Sequence, residues 1–209
     1  MNRASAKPDP GTVHRPILCA CLLFLGALAT LPVRAEQPGL THGRLATSAA
    51  ISPRSVELGA RYARDFSYLG ARYNARVSDR TTAFIDLGST RFDGASPAKT
   101  VGAGAYYYWG PINHWLDFAA RAAVHHIAGR SDTTFLGFDA LFSSVHLQAL
   151  PARWQWYASV GLYRPLNRSD SPKLGLSLGL VKPTSRGQVF VGYDADDAAV
   201  AAGYRLRWD

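Results

Sequence analysis

The sequence predicts an all-β protein, a transmembrane up-and-down antiparallel β-barrel of about ten strands. Three observations lead to this class. From Ser55 onward, apolar residues alternate with polar or small residues in ten segments. Short turn sequences separate these segments. The apolar face continues from segment to segment, whereas the opposite face carries glycines, small polar residues and charges, so the two faces of the sheet meet different surroundings.

The ten segments cover residues 56–62, 69–77, 83–88, 101–108, 116–125, 136–143, 154–162, 174–180, 189–194 and 200–208. In the first, Val56, Leu58 and Tyr62 share one face, and Glu57 and Arg61 share the other. The eighth alternates most regularly, with leucine at every second position of 174–180. The fifth is rich in alanine and would suit a helix, but its place in a regular series favours a strand.

Turn sequences define the connections. Examples are Ser78-Asp79-Arg80, Asp93-Gly94 and Gly110-Pro111-Ile112-Asn113, each rich in the residues that tight turns prefer. Connections this short join antiparallel neighbours, so the chain is predicted to run as a meander. A barrel of eight strands is the alternative if one hairpin is misread.

The size of the apolar face decides its environment. A soluble barrel would enclose that face, as lipocalin-like proteins do, but ten strands leave too little room for so many large side chains. The reverse arrangement directs the apolar band to lipid and the polar residues to the lumen, and closure leaves no strand edge in hydrocarbon. The alternative is a soluble periplasmic barrel.

The N-terminus has the features of a secretory signal peptide. A basic start precedes an apolar run over 17–33, and Val33-Arg34-Ala35 forms a small-x-small cleavage site. A membrane anchor is the alternative, although Pro32 interrupts the run. Cleavage near Ala35 divides the chain into a signal peptide (1–35), a periplasmic N-terminal segment (36–54) and the barrel (55–209).

Composition restricts the chemistry of the exported part. The whole chain has 209 residues and a formal charge of +8. Removal of 1–35 leaves +5 and takes away the only methionine and both cysteines. Disulfides and thiolate metal sites are therefore excluded from the barrel. The remaining charge is dispersed and the chain is exported, so we expect no nucleic-acid partner, no metal and no cofactor.

The tryptophans sort by strand end. If both termini are periplasmic, all five fall toward one rim and form an aromatic girdle: Trp109, Trp115, Trp154, Trp156 and Trp208. Four tyrosines are expected toward the opposite rim: Tyr62, Tyr68, Tyr163 and Tyr193.

The signal peptide, the meander and the closing segment AVAAGYRLRW resemble small outer-membrane β-barrel proteins of Gram-negative bacteria, the opacity-protein and OmpA-like group. The resemblance covers about residues 55–208. It implies a porin-like barrel located in the outer membrane. It also implies that the last strand carries an assembly signal, which the outer-membrane assembly machinery recognises. Val200, Tyr204, Leu206 and Trp208 match that signal, and the chain adds Asp209 after the terminal aromatic.

Ten charges are predicted to face the lumen: Glu57, Arg61, Arg72, Arg76, Asp86, Asp117, Arg121, Asp139, Arg205 and Arg207. Hairpin register sets Asp86 near Arg72 and Asp139 near Arg121. It sets Glu57 near Asn74 and Arg76. The favoured interpretation is a lumen plugged by an ion-pair network, with a structural or surface role for a monomeric barrel. The alternative is a narrow, weakly anion-favouring pore, because basic residues are in excess.

Catalytic and metal-binding alternatives are weaker. Ser144, His146 and Asp117 contain the groups of an acyl-transfer triad, which would make the protein an outer-membrane lipid hydrolase. We expect no enzyme, because these residues lie toward the periplasmic end. His125 and His126 are adjacent on a strand and point to opposite faces, so they cannot chelate one metal together.

The predicted external loops carry two charged features. The acidic group Asp194, Asp196 and Asp197 is expected to be an ordinary solvated loop, with weak Ca²⁺ binding as the alternative. A basic rim either confers solubility or pairs with lipopolysaccharide phosphates. Its residues are Arg64, Arg91, Lys99, Arg130, Arg164, Arg168 and Lys173.

Overall fold

The computed structural model describes residues 54–113, 116–129, 132–144 and 154–208. Several predictions from the sequence lie outside these ranges. They are the signal peptide, the N-terminal segment apart from Arg54, and the residues Trp115, Arg130, His146 and Asp209.

Ten strands make up the described chain. They are β1 (Arg54–Tyr62), β2 (Phe66–Arg76), β3 (Thr81–Phe92), β4 (Ala98–Asn113), β5 (Leu116–Ala128), β6 (Thr133–Ser144), β7 (Gln155–Pro165), β8 (Lys173–Pro183), β9 (Gly187–Asp194) and β10 (Ala199–Trp208). No helix within the described ranges is long and apolar enough to cross a membrane.

The strands form a closed antiparallel barrel. Each pairs with its neighbours in sequence, and β1 closes the ring against β10 from Arg54↔Trp208 to Tyr62↔Val200. The predicted up-and-down barrel is therefore confirmed, with ten strands rather than eight. We call the end at which β1 begins and β10 ends the terminal rim, and the opposite end the loop rim.

Side-chain burial alternates along the strands. In β1, Leu58 on the outside is 60% exposed, whereas its neighbours Glu57 and Gly59 are buried. Leu69 on β2 is 68% exposed. The alanine-rich β5 follows the same alternation, which a strand produces and a helix does not. The outer surface is therefore apolar along the middle of the barrel.

One strand end differs from the sequence prediction. The residues 110–113 were predicted as a turn, but β4 continues through them to Asn113. Register shifts at Tyr108/Gly110 and Pro111/Asn113 interrupt the pairing with β5. Gly110 has a φ of +117°, which glycine tolerates, so the turn-forming residues produce bulges within a longer strand.

Aromatic rings fill the lumen above glycines. The Tyr68 ring occupies the space that a Cβ on Gly70 or Gly88 would need, and the Phe190 ring does so at Gly203. These rings pack against bare backbone of their own strand or of a neighbouring strand, which is possible only because glycine has no side chain. Small residues on the inner face thus make room for large ones.

Apolar layers lie toward both ends of the lumen. At the loop rim, Phe92 packs against two buried clusters, one with Phe66 and Tyr68 and the other with Ile127 and Phe135. Toward the terminal rim lie the clusters Phe84, Tyr106, Ala119, Ala123 and Leu141, and Tyr157, Val181 and Phe190.

Tyr68 and Tyr163 lie toward the loop rim, as predicted, but they are not part of an outer girdle. Both point into the lumen and are buried, at 4% and 2% exposure. Their depth along the strand suited a girdle, but their position in the period-two alternation puts them on the inner face. Tyr62 and Tyr193 are on the outer face and exposed.

Candidate functional site

The first ion-pair cluster joins four strands, β2 to β5, around Asp86. Arg72 Nε donates to Asp86 Oδ1, and Arg72 Nη2 donates to Asp86 Oδ2 at 2.6 Å. His125 Nε2 lies 2.8 Å from the same Oδ2 atom. Arg72 Nη1 donates to the Tyr106 hydroxyl, and its guanidinium carbon lies 4.2 Å from the Phe84 ring centroid. Both acceptor atoms of this buried carboxylate are thereby satisfied.

The second cluster repeats this arrangement on β5, β6 and β7. Arg121 is directly across from Asp139, and its Nε donates to Asp139 Oδ2 at 2.6 Å. The Tyr163 hydroxyl donates to Asp139 Oδ1 and accepts from Arg121 Nη2 at 3.0 Å. An inward tyrosine thus links the guanidinium to the carboxylate from a third strand.

The third cluster crosses the seam at which the barrel closes. Arg205 Nη2 on β10 lies 2.6 Å from Glu57 Oε1 on β1. Asn74 Nδ2 donates to Glu57 Oε2 at 3.0 Å, and Arg205 Nη1 donates to Gln188 Oε1 at 2.7 Å. Side chains from β2, β1, β10 and β9 therefore form one chain of contacts across the seam.

The fourth cluster lies at the loop rim and corrects a prediction. Asp194 and Asp197 were expected in a solvated loop, but Arg61 Nη2 lies 2.7 Å from Asp194 and 2.8 Å from Asp197. Ser177 Oγ donates to Asp194 at 2.6 Å. Both carboxylates are buried. Asp194 reaches the guanidinium from the inward end of β9, and the β9–β10 turn brings Asp197 to the same group.

Asp196 lies in this same turn, outside the strands. Burial, followed by repulsion from the Asp197 and Asp194 carboxylates, raises the pKa of Asp196 to about 7. The Arg61 charge opposes this rise but does not cancel it. The backbone N–H of Leu176 donates to Asp196 Oδ1 at 3.4 Å. The turn therefore holds a carboxyl group that takes up a proton near neutral pH.

Arg76 does not join the lumen clusters. It was predicted beside Glu57, but register places Arg72 across from Glu57. Arg76 instead donates to Asp79 and to the Ser78 carbonyl, at an exposed hairpin. A carboxylate three residues away competes well with one deep in the lumen, because it needs no burial of the charge.

Two further predicted lumen residues, Asp117 and Arg207, lie outside the four clusters. Asp117 is buried and accepts a hydrogen bond from the Tyr108 hydroxyl at 3.0 Å. Arg207 is only partly buried, near the terminal rim.

Several lumen partners were missed from sequence. His125, Tyr106, Tyr163 and Gln188 all contact the predicted charges, and all occupy inward positions of the alternation. Asp194 also has inward parity. A polar side chain at an inward position of the alternation is therefore the sequence signal for these lumen partners.

The described tryptophans lie at the terminal rim on the outer face. Trp109 is 63% exposed, Trp208 is exposed, and Trp154 and Trp156 are partly exposed. Trp208 packs against Tyr73 at a ring-centroid distance of 6.4 Å. These positions are suited to the boundary between an apolar layer and water.

Of the three residues of the hydrolase alternative, the structure describes Asp117 and Ser144, and these two are not directly across from each other. Asp117 pairs with Ser143, and Ser144 pairs with Leu116. The register therefore offsets Asp117 from Ser144 by one residue, which places them on opposite faces of the sheet. Ser144 is 1% exposed. Within the described ranges, no group of three His, Cys, Asp or Glu residues could hold a metal ion.

No family model and no curated protein matches this sequence. Among solved structures, the chain is similar to a KdgM porin, at 8% identity and a TM-score of 0.48, over 74% of this chain and 99% of that one. It is also similar to the translocator domain of autotransporter NalP from Neisseria meningitidis, at 12% identity and a TM-score of 0.35, over 74% of this chain and 87% of that one. Likeness at this level carries no functional assignment.

We expect Arg72→Ala to lower the free energy of unfolding by about 3–5 kcal/mol, because it leaves the Asp86 carboxylate buried without its main counter-charge. The matched control is Arg76→Ala on the same strand. Its partner Asp79 is 95% exposed, so the expected loss is about 0–1 kcal/mol. Urea unfolding of the refolded barrel, followed by tryptophan fluorescence, measures both. Equal losses of unfolding free energy in the two variants would show that the buried Arg72–Asp86 pair contributes no more to stability than the exposed Arg76–Asp79 pair.

We expect the stability of the wild type to fall as pH rises from about 4 to about 7 and then to level off, because the folded pKa of Asp196 is about 7 and its ordinary value is 3.8. In this pH range the folded state holds a proton on Asp196 that the unfolded state has already released, so each rise in pH lowers the free energy of unfolding. Above about pH 7, Asp196 is ionised in both states and the loss is complete. Asp196→Asn should therefore be more stable than the wild type at about pH 8 and similar to it at about pH 4.

The measurement is unfolding free energy across this pH range, with Asp93→Asn, an exposed aspartate at the same rim, as the control. An Asp196→Asn profile parallel to that of the wild type would contradict the role given to this carboxyl group.

Proposed function

We propose that this chain is an exported, monomeric outer-membrane β-barrel with a structural or surface role, a packed lumen and no enzymatic activity. The observation that carries the proposal is the inversion of the barrel. Large apolar side chains such as Leu58, Leu69 and Phe138 are exposed on the outside, whereas Arg72 and Arg205 are buried inside.

A soluble barrel has the opposite arrangement. An apolar belt exposed to water would lose about 25 cal/mol of stabilising free energy for each Å² of apolar surface left unburied. A lipid environment removes this cost, and the closed ring satisfies the backbone hydrogen bonds that lipid cannot. The inversion therefore supports a membrane location over a soluble periplasmic barrel.

The packing of the lumen supports a plug over a pore. Arg72, Arg205, Tyr106, Phe190 and His125 are all less than 2% exposed. Apolar clusters lie toward both ends of the lumen, and buried ion pairs occupy the interior together with them. Conduction requires a continuous hydrated path through the lumen. Side chains packed this closely support the absence of such a path.

The anion preference of the pore alternative also loses support. It rested on an excess of inward basic residues. Within the described ranges, the fully buried lumen arginines are Arg61, Arg72, Arg121 and Arg205, and the buried lumen acids are Glu57, Asp86, Asp117, Asp139 and Asp194. The excess disappears because Arg76 lies outside the lumen, Arg207 is only partly buried, and Asp194 lies within the lumen.

Export and assembly are part of the proposal. The signal-peptide pattern of 1–35 supports secretion, with cleavage near Ala35. In β10, Val200, Tyr204, Leu206 and Trp208 all face outward and are exposed, the arrangement expected of an assembly signal. These features support the resemblance to the opacity-protein and OmpA-like group, with outer-membrane lipid and the assembly machinery as partners.

We expect the purified barrel to give no steady conductance in planar lipid bilayers. Heat-modifiable gel mobility in the membrane fraction establishes that the protein is folded and inserted before recording. A combined variant, Phe66→Ala, Phe92→Ala and Phe135→Ala, should raise the frequency of transient openings, because it empties the apolar layer at the loop rim. A steady wild-type conductance that changes with Arg121→Glu would overturn the plugged lumen in favour of the pore.

A further inference from the structure

Cations lie next to tryptophans around the terminal rim. Arg54 on β1 is directly across from Trp208 on β10, and both are on the outer face. On the other side of the barrel, the Lys182 ammonium lies 5.8 Å from the Trp154 ring centroid. A cation at this distance is attracted to the face of the ring and stays at the level of the indole.

Two turns place further cations at the same level. The Arg80 carbonyl accepts a hydrogen bond from Tyr108 N at 2.8 Å, beside Trp109. The Arg186 carbonyl accepts from Arg207 N at 2.9 Å, beside Trp208. Arg80 and Arg186 are exposed. Basic side chains thus follow the tryptophan positions on β4, β7 and β10.

The two rims differ in charge balance. Among the described residues, the exposed charges of the terminal rim are five basic and one acidic: Arg54, Arg76, Arg80, Lys182, Arg186 and Asp79. The acid is already paired with Arg76. At the loop rim, the exposed cations Arg64, Arg91, Lys99, Arg164 and Arg168 alternate with Asp65, Asp93, Asp132 and Asp170. The more strongly basic rim is therefore the terminal one.

We propose that the terminal rim binds anionic phospholipid headgroups of the adjacent leaflet. This inference rests on the proposed membrane location. Tryptophan positions itself at the headgroup level of a bilayer, and basic residues beside it meet the lipid phosphates there. The cations are spread around a convex outer surface, which suits an annulus of lipids and gives no enclosed site for a free anion.

The structure also provides a reporter for this rim. All four described tryptophans lie there, so their fluorescence responds to the lipids that contact the terminal rim. Full-length purified protein is reconstituted into mixtures of phosphatidylcholine and phosphatidylglycerol, of which one or the other carries brominated acyl chains. Bromine quenches nearby tryptophan, so the two quenching curves give the relative affinity of the rim for the anionic lipid.

We expect the wild type to favour phosphatidylglycerol about fivefold, the ratio that one favourable cation near a membrane surface confers. The variant with Arg80→Gln, Lys182→Gln and Arg186→Gln should lose this preference. The matched control removes three exposed cations from the other rim, with Arg91→Gln, Lys99→Gln and Arg164→Gln, and should keep it. Heat-modifiable mobility verifies that both variants are folded.

Equal quenching by the two lipids in the wild type would overturn the inference, as would a preference that survives in the terminal-rim variant or vanishes in the control. A second measurement needs no variant: the wild-type preference should collapse in about 1 M NaCl, where charges are screened beyond about 3 Å. Its persistence there would also overturn the inference. Absence of quenching by either lipid would instead reject the membrane location itself.

Discussion

Closure of the hydrogen-bonded ring is the constraint on which the rest of this structure depends. Once β1 pairs with β10, no strand edge remains, and every side chain faces either a narrow interior or the surroundings. The interior of ten strands is too small for the large apolar residues of this sequence. Those residues therefore lie outside, and the inside receives glycines, aromatics and charges.

A narrow interior imposes its own chemistry. Glu57, Asp86 and Asp139 each meet a guanidinium from an adjacent strand, and Asp194 meets Arg61 two strands away. Asparagine, histidine, tyrosine and serine side chains also contact these carboxylates. Aromatic rings occupy the space over glycines. If the lumen is plugged, as we propose, the packing that neutralises the charges is also what closes the barrel to solutes.

The sequence predicts features that depend on local order. Period-two alternation gives the strand number and the two faces, and counting from a hairpin turn brings Arg72 to Asp86 and Arg121 to Asp139. Long-range contacts are harder to predict. The Glu57–Arg205 pair joins residues 148 positions apart, and it follows only once closure and its register are known. Arg76 was misplaced because a local acid, Asp79, competes with the lumen. Burial of Asp197 depends on how the β9–β10 turn folds over the end of β1, which alternation does not determine.

The central claim is that successive residues of each strand face lipid and a packed interior in turn. Nitroxide labels on single cysteines along β8 test it directly, in protein whose Cys19 and Cys21 are replaced by serine and which is reconstituted in lipid bilayers. Labels at Leu176, Leu178 and Leu180 should collide readily with oxygen dissolved in lipid, and a label at the inward Ser177 should collide with neither oxygen nor a water-soluble nickel complex. A label at Leu178 that meets the nickel complex as freely as one at the exposed turn residue Ser185 would place the outer face in water and contradict the claim.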